Sequence, residues 1–321
     1  MPTRYSAEQL IKNAGYNIGF SEVGIADITP SARSRTTFDR WIKQGKHGDM
    51  RYLSGGSDKR HDPSLLLDDA KSAICVAVNY YSQESRNKNG WREQNGQGVF
   101  SNYAYDRDYH LVLKEMLDEL AGRLRDFFPG IKTRACVDTQ PISERDLAIK
   151  SGIAWLGKNT CVISQEYGSW IFLGELLTNL QLESDQPLES LCGSCTRCMD
   201  ACPTDALHEA YVLDATKCIS YLTIEKRGDI AAEFHEQIGN NIFGCDECQR
   251  VCPFNSAARE TQIFTHDFCS PLLEMTLEDL QEVSDVEFLA HTRDSAIRRC
   301  KADGIRRNAG IVLQNLRSQD T

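Results

Sequence analysis

The stretch "CGSCTRCMDACPTDAL" (residues 192–207) sets Cys192, Cys195, Cys198 and Cys202 at steps of three, three and four, with Pro203 after the last. An interrupted second run follows in Cys218 and in "CDECQRVCPFN" (245–255), where Cys252 precedes Pro253. This is a bacterial iron–sulfur pattern: one loop covers three corners of a cubane, and the cysteine before the proline ligates the other cluster. The pattern predicts one [4Fe–4S] cluster on Cys192, Cys195, Cys198 and Cys252, and another on Cys202, Cys218, Cys245 and Cys248. No motif cysteine is left over. Two zinc sites are the alternative, because cysteine pairs also suit a tetrahedral ion. A CxxxCxxC radical site is excluded, since that spacing is absent.

Outside this region the chain reads as an ordinary globular protein, with 41% hydrophobic and 26% charged residues over 321 positions. That length allows a large core and a second, smaller unit. Its thirteen cysteines do not form a disulfide framework if the protein is cytoplasmic, as the N-terminus "MPTRYSAEQLIKNAG" suggests by lacking an apolar signal segment. No apolar run approaches the ~18 residues of a membrane span. The net charge of −10 argues against a protein that coats nucleic acid. One local exception runs from Arg293 to Arg307, where Arg293, Arg298, Arg299, Lys301, Arg306 and Arg307 face only Asp294 and Asp303. Such a stretch suits phosphates or a solvated helix face. Cys75, Cys136, Cys161, Cys269 and Cys300 have no partner pattern, and the first three lie in apolar stretches as small buried hydrophobes.

Two adjacent clusters conduct electrons, so chemistry is expected upstream of them. There the pattern alternates. "SAEQLIKNAG" opens with Ser6 and Gln9 in capping-box positions and closes on Gly15, as a helix. A strand is read at 72–81, an amphipathic helix at 109–128, a strand at 133–138, a helix in "ERDLAIKSG" and an apolar segment at 169–178. An acidic linker, "LESDQPLES" (182–190), precedes the cysteines, and from about Ser256 the chain reads as helical. There is no internal repeat or low-complexity tract. "GIAWLGK" (152–158) matches a phosphate loop, but Asn159 stands where Ser or Thr is needed, and Trp155 and Leu156 crowd the turn. No GxGxxG occurs, so a Rossmann dinucleotide site has no support.

The chain resembles the epoxyqueuosine reductases, cobalamin- and iron–sulfur-dependent enzymes of tRNA modification. The resemblance rests on "GKHGDMRYL" (45–53), "RHDPSLLL" (60–67), "VNYY" (78–81), "DRDYH" (106–110), "VDTQPISER" (137–145), "GIAWLGKNT" (152–160), "GSWIFLGELLT" (168–178), the eight motif cysteines, "CISYLTIEKRG" (218–228) and "GIRRNAGIVLQN" (304–315). These cover nearly the whole chain in order. The resemblance implies an α/β, nitroreductase-like cobalamin-binding domain (1–181), a two-cluster ferredoxin-like domain (182–256) and a helical C-terminal segment (257–321). Family members often continue into a HEAT-like repeat, which this chain stops short of.

By the same resemblance the reaction is reduction of epoxyqueuosine to queuosine at the wobble position of tRNAs with a GUN anticodon, those for aspartate, asparagine, histidine and tyrosine. Asp138 is the implied proton donor. Burial against an apolar corrin is expected to keep it protonated, although a strand-end Asp also commonly makes a turn before a proline. Arg60, Ser101, Tyr105, Asp108, Lys158, Asn159, Thr160 and Ser220 are implied to line cobalamin, with Cys245, Asp246, Glu247 and Cys248 approaching it. Leu113 stands where a DxHxxG motif has glycine, so His110 reads as structural and the cobalamin as base-off. Lys226, Arg227, Arg298, Arg299, Arg306 and Arg307 are candidate tRNA contacts. A low-potential electron donor is required, and the chain is expected to be a monomer. Two other readings remain. A pure electron-transfer module needs no domain of this size, and a reductive dehalogenase usually carries an export signal and a tyrosine donor.

Overall fold

The computed structural model describes residues 5–29, 31–55, 57–265 and 270–319, so Cys269 lies outside the described residues. Its centre is a four-stranded antiparallel sheet of β1 (Glu22–Asp27), β2 (Ser72–Asn79), β3 (Thr133–Cys136) and β4 (Ile171–Thr178), in the order β1-β2-β4-β3. All eight residues of β2 are buried and β4 is nearly so. A strand covered on both faces must be apolar on both, which is why these segments show no polar alternation.

The faces carry different side chains. On one, Val23, Ile25, Ile74, Val76 and Leu176 meet α1 (Ala7–Tyr16) and α2 (Tyr109–Phe127). Helix α2 buries Leu113, Met116, Leu117, Leu120, Ala121 and Leu124, a single stripe at helical spacing. On the other face Ala26, Ala73, Cys75, Ala77 and Cys136 are small, so α3 (Glu144–Lys150) packs close through Leu147 and Ala148. Cys75 and Cys136 are buried as expected, and Cys300 is buried too. Helix α1 begins where anticipated, with Ser6 Oγ accepting the Gln9 amide at 3.3 Å, and runs one residue past Gly15.

Packing is continuous across the expected boundaries near 181 and 256. Val99–Phe100 pairs in parallel with Asn241–Phe243. A second core joins Phe100, Ala104 and Tyr105 to Ile242, Phe243 and the C-terminal helix α4 (Lys301–Gln319). The loop after Cys252 is clamped to the sheet by Asn255, which accepts the Ser169 amide at 2.7 Å and donates to Ser169 Oγ and the Gln249 carbonyl. Gly168, at φ +61°, lets that clamp close, since a Cβ there would collide with the Asn255 side chain. The C-terminal region is helical but broken, with short turns and the helices Leu277–Glu282 and Asp285–His291 before α4. Among the described residues no helix is long and apolar enough to cross a membrane.

Candidate active site and cluster loops

Each cysteine loop ends in one helical turn, Arg197–Asp200 or Glu247–Arg250, and the two turns pack together. This juxtaposition crosses the sequence. Cys198 and Cys252 lie within electrostatic reach of each other and of Cys192 and Cys195. Cys218 lies within reach of Cys202, while Cys245 and Cys248 both lie near Cys218. No three His, Cys, Asp or Glu side chains among the described residues close on a point the size of one ion. Thiolates around a four-iron cube stand farther apart, so two open sets of four soft donors fit cubanes.

Cys161 departs from the buried-hydrophobe expectation. It is only partly buried, and its thiol hydrogen-bonds with Cys248, which holds it below the usual thiol range. The turn that carries it, after Thr160 at φ +66°, packs on the second cluster loop through Asn159 Nδ2, 3.4 Å from the Cys248 carbonyl. Lys158 points instead to the first loop, donating to the carbonyls of Gly193 (2.7 Å) and Cys195 (2.9 Å). Lys158 therefore braces the first cysteine loop.

Asp138 sits on the turn after β3 at φ +43°. Its amide donates to Glu144 Oε1, and Gln140 Oε1 accepts the Val137 amide at 2.8 Å. The side chain opens onto solvent, 60% exposed. Around it stand groups from five segments: His110 and Tyr109 at the start of α2, Glu144 on α3, Tyr52 on the short helix Arg51–Ser54, Arg60 on Ser57–His61, and Arg299 in the turn before α4. Arg60 is held by the Ile142 carbonyl at 3.1 Å and keeps a buried Nε without a partner. Exposed Tyr52, with Arg299 over its ring at 5.1 Å, completes an aromatic and cationic rim. Such a rim, with an orphan donor, fits a broad apolar ring edged by amide acceptors.

The expected protonation of Asp138 is not what this arrangement favours. His110 Nε2 lies 3.2 Å from Asp138 Oδ2, and His110 Nδ1 lies 2.6 Å from Asp108 Oδ1. The hydrogen bond from His110 outweighs burial and holds the Asp138 carboxyl below its ordinary range. Burial opposes charge on His110, but its two carboxylate partners prevail and lift it to about 9. His110 is therefore no bystander. Beneath Asp138, burial and the Asp138 charge push Glu144 up to about 8. Glu175 on β4 is fully buried between Cys75 and Cys136, both its oxygens lack partners, and burial raises it well above the carboxylate range.

The other corrin candidates separate. Ser101 Oγ donates to Asp246 Oδ1 at 2.8 Å beside the second cluster loop. Tyr105 is buried, with its hydroxyl on Asn89 Oδ1 at 2.6 Å. Ser220 precedes the helical turn Tyr221–Glu225 that follows Cys218. Of the basic candidates, Arg307 bonds the carbonyls of Leu222, Lys226 and Gly228. Arg227 bonds those of Ile224, Arg299 and Cys300. Arg306 pairs with Asp285 and Asp303, and Lys226 with Asp49 at 2.9 Å. Arg299 pairs with Glu225 at 2.7 Å yet stays exposed. Arg298 is exposed, and its amide donates to the Ser295 carbonyl at 3.2 Å. Sequence reasoning missed Tyr52, Tyr109, Glu144 and Glu175. Only their places in the motifs "GDMRYL", "DYH", "SER" and "FLGELL" could have flagged them.

Comparisons with known proteins agree on one family. Residues 191–255 match a 4Fe-4S double cluster binding domain, and residues 60–139 match the family model for epoxyqueuosine reductase QueG. An epoxyqueuosine reductase of Gloeobacter violaceus is 42% identical over 94% of this chain and 94% of its own. A crystal structure of epoxyqueuosine reductase with an epoxyqueuosine-modified tRNA-Tyr stem loop superposes with a TM-score of 0.83 at 33% identity, covering 98% of this chain and 82% of that one. A Bacillus subtilis structure, with the same TM-score, 30% identity and the same coverages, has an aspartate-bearing catalytic loop swung out of its active site. With that identity held over nearly its full length, the chain belongs to the epoxyqueuosine reductase family of oxidoreductases.

Proposed function

We propose that this chain reduces epoxyqueuosine to queuosine in tRNA, at the wobble position of GUN anticodons, with electrons entering through two [4Fe–4S] clusters. Cys192, Cys195, Cys198 and Cys252 hold one cluster; Cys202, Cys218, Cys245 and Cys248 hold the other. The observation that carries the reading is the exposed Asp138 turn, ringed by Tyr52, Arg60, His110 and Arg299, on the same body as the crossed cysteine loops. The solved Bacillus subtilis relative likewise carries an aspartate on a catalytic loop.

Arg60, Ser101, Asn159 and Asp246 are the residues that would hold cobalamin. When bound it supplies a two-electron nucleophile from electrons that the clusters deliver singly. The chain's own part is protonic: Asp138 donates to the oxygen leaving the epoxide, and Arg60 and Arg299 surround the anion that the donation leaves behind. Exposed Arg298 and Arg299 are the tRNA phosphate contacts of this reading, while Arg227, Arg306 and Arg307 brace the fold.

Anaerobic reaction of the reconstituted protein with epoxyqueuosine-tRNA, followed by nucleoside mass spectrometry, tests the activity. Metal analysis should return about eight iron and one cobalt per chain. Loss of queuosine formation in protein carrying both metals would refute the reading.

A further inference from the structure

His110 is clamped between two carboxylates. Its Nδ1 meets Asp108 Oδ1 at 2.6 Å and its Nε2 meets Asp138 Oδ2 at 3.2 Å. A neutral imidazole has one N–H and can donate to only one of them. The arrangement therefore holds one further proton, on the ring or on Asp138. The ring cannot turn away from this duty. Tyr109 stacks on it at 4.0 Å and on Phe172 at 4.2 Å, while Asp108 caps α2 by accepting the His110 amide at 3.0 Å. Asp108 is in turn placed by its amide, which donates to the Asp294 carbonyl at 2.7 Å.

We propose that His110 is the immediate source of the proton that Asp138 delivers, and that Asp108, His110 and Asp138 form a proton-loading line into the active site. This rests on the reading that Asp138 is the donor. As an epoxide C–O bond breaks, its oxygen keeps the bonding pair and takes a proton through Asp138 Oδ2, which is ionised at rest and passes on a proton it receives in the same step. The carboxylate takes the proton of His110 Nε2, and the neutral ring keeps its Nδ1 proton on Asp108. The ring, 28% exposed at its side chain, reloads from water. Epoxide, two electrons from the clusters and two protons give alkene and water, so the line is used twice per turnover.

The arrangement removes the need for an aspartate that stays protonated at neutral pH. Asp138 need only be transiently protonated, because a full store lies one hydrogen bond away. The charged and titratable groups around the line are Asp108 at the N-cap of α2, Tyr109 from α2, Glu144 from α3, Tyr52, Arg60 and Arg299. Glu144, held largely neutral, adds little charge beneath the turn. Asp108 and Asp138 therefore dominate the field on the ring.

The test has two arms on the cluster-loaded chain. Histidine Cε1 NMR should show His110 titrating near pH 9, and Asp138→Asn should move that titration down; an ordinary value near 6.5 in wild type overturns the store. The second arm is the pH–rate profile with epoxyqueuosine-tRNA. Wild type should hold its rate through neutral pH and lose it near pH 9. His110→Gln should be ~10²-fold slower at pH 7.5 and regain rate as the pH falls, because Asp138 must then bind its proton directly. If His110→Gln does not assemble its clusters, Asp108→Asn is read instead, and its alkaline limb should move to lower pH. An unchanged rate and limb in an active, cluster-loaded variant overturns the proposal. Inactivity of wild type refutes the functional reading instead, and the NMR arm still decides where the proton sits.

Discussion

The cluster loops and the Asp138 turn are both built from separated segments, yet they are organised differently. The first cysteine loop carries Cys192, Cys195 and Cys198 on one stretch, and the second brings Cys245 and Cys248 to Cys218 from an earlier segment; most of the soft donor set is visible in the spacing. The proton site draws its residues from five segments around Asp138, and none is interpretable alone. Redundant local geometry makes the first legible and robust, whereas the second depends on the whole sheet-and-helix body to hold one carboxylate against one imidazole.

The largest expected effect breaks the cluster half of the comparison. Cys202→Ala should abolish turnover and remove the cluster of Cys218, Cys245 and Cys248 while sparing the one formed by its own sequence neighbours. Iron content should fall by about half, one cubane of the two, and electron paramagnetic resonance should retain one cluster signal. Loss of the cluster bound by Cys192, Cys195 and Cys198 would show that the wiring does not cross.

Asp138→Asn probes the other half. It keeps shape and hydrogen bonding but has no carboxylic proton, so turnover should fall ~10²–10⁴-fold with cluster content and tRNA affinity unchanged. A rate near wild type assigns the proton elsewhere, and lost corrin binding assigns Asp138 to positioning.

Glu175 sharpens the contrast, because it is a buried carboxyl that neither cluster uses. Its pKa is raised by burial, with the charges of Glu144 and Asp138 adding to the effect. The folded state therefore binds its proton more tightly than the unfolded chain. Its stabilising contribution is complete below the unfolded value of about 4.3 and is lost as pH rises toward the folded value. Glu175→Gln removes this dependence. Its stability relative to wild type should grow by up to about 1.4 kcal/mol per pH unit across that window, read as a widening difference in melting temperature between pH 5.5 and pH 8. A constant difference would mean that Glu175 is ionised in the fold.

The smallest effects separate the arginines. Arg298→Gln should reduce the salt dependence of tRNA binding by about one unit of slope and leave melting unchanged. Arg307→Gln should instead destabilise by about 1–3 kcal/mol, since carbonyls of Leu222, Lys226 and Gly228 lose a charged donor. Equal behaviour of the two variants would show that the basic stretch is one surface.

Much of the fold was legible because burial leaves simple marks. The stripe on α2 and the unbroken apolar runs of β2 and β4 follow from which faces must be dry. Asp138 was legible only through its motif, since a carboxylate at a strand end looks like any turn residue. The sequence reading gave His110 a structural role because Leu113, which is buried in the core, stands at the glycine of the cobalt-ligand motif. Its 3.2 Å contact with Asp138 spans two segments and leaves no mark in the sequence. Cys161 was misread for the same reason, because its neighbour Cys248 is distant in the chain.

By itself, the sequence determined the donor chemistry: eight thiols at iron–sulfur spacing, an apolar two-faced sheet and a helix with one dry stripe. Such features repeat at short range, where bond geometry dictates which side chains share a loop or a face. Only the tertiary structure decided where protons reside. The charge state of Asp138, His110, Glu144 and Glu175 depends on partners brought together from distant segments and on how much water each retains. Those quantities exist only once the chain has closed around them.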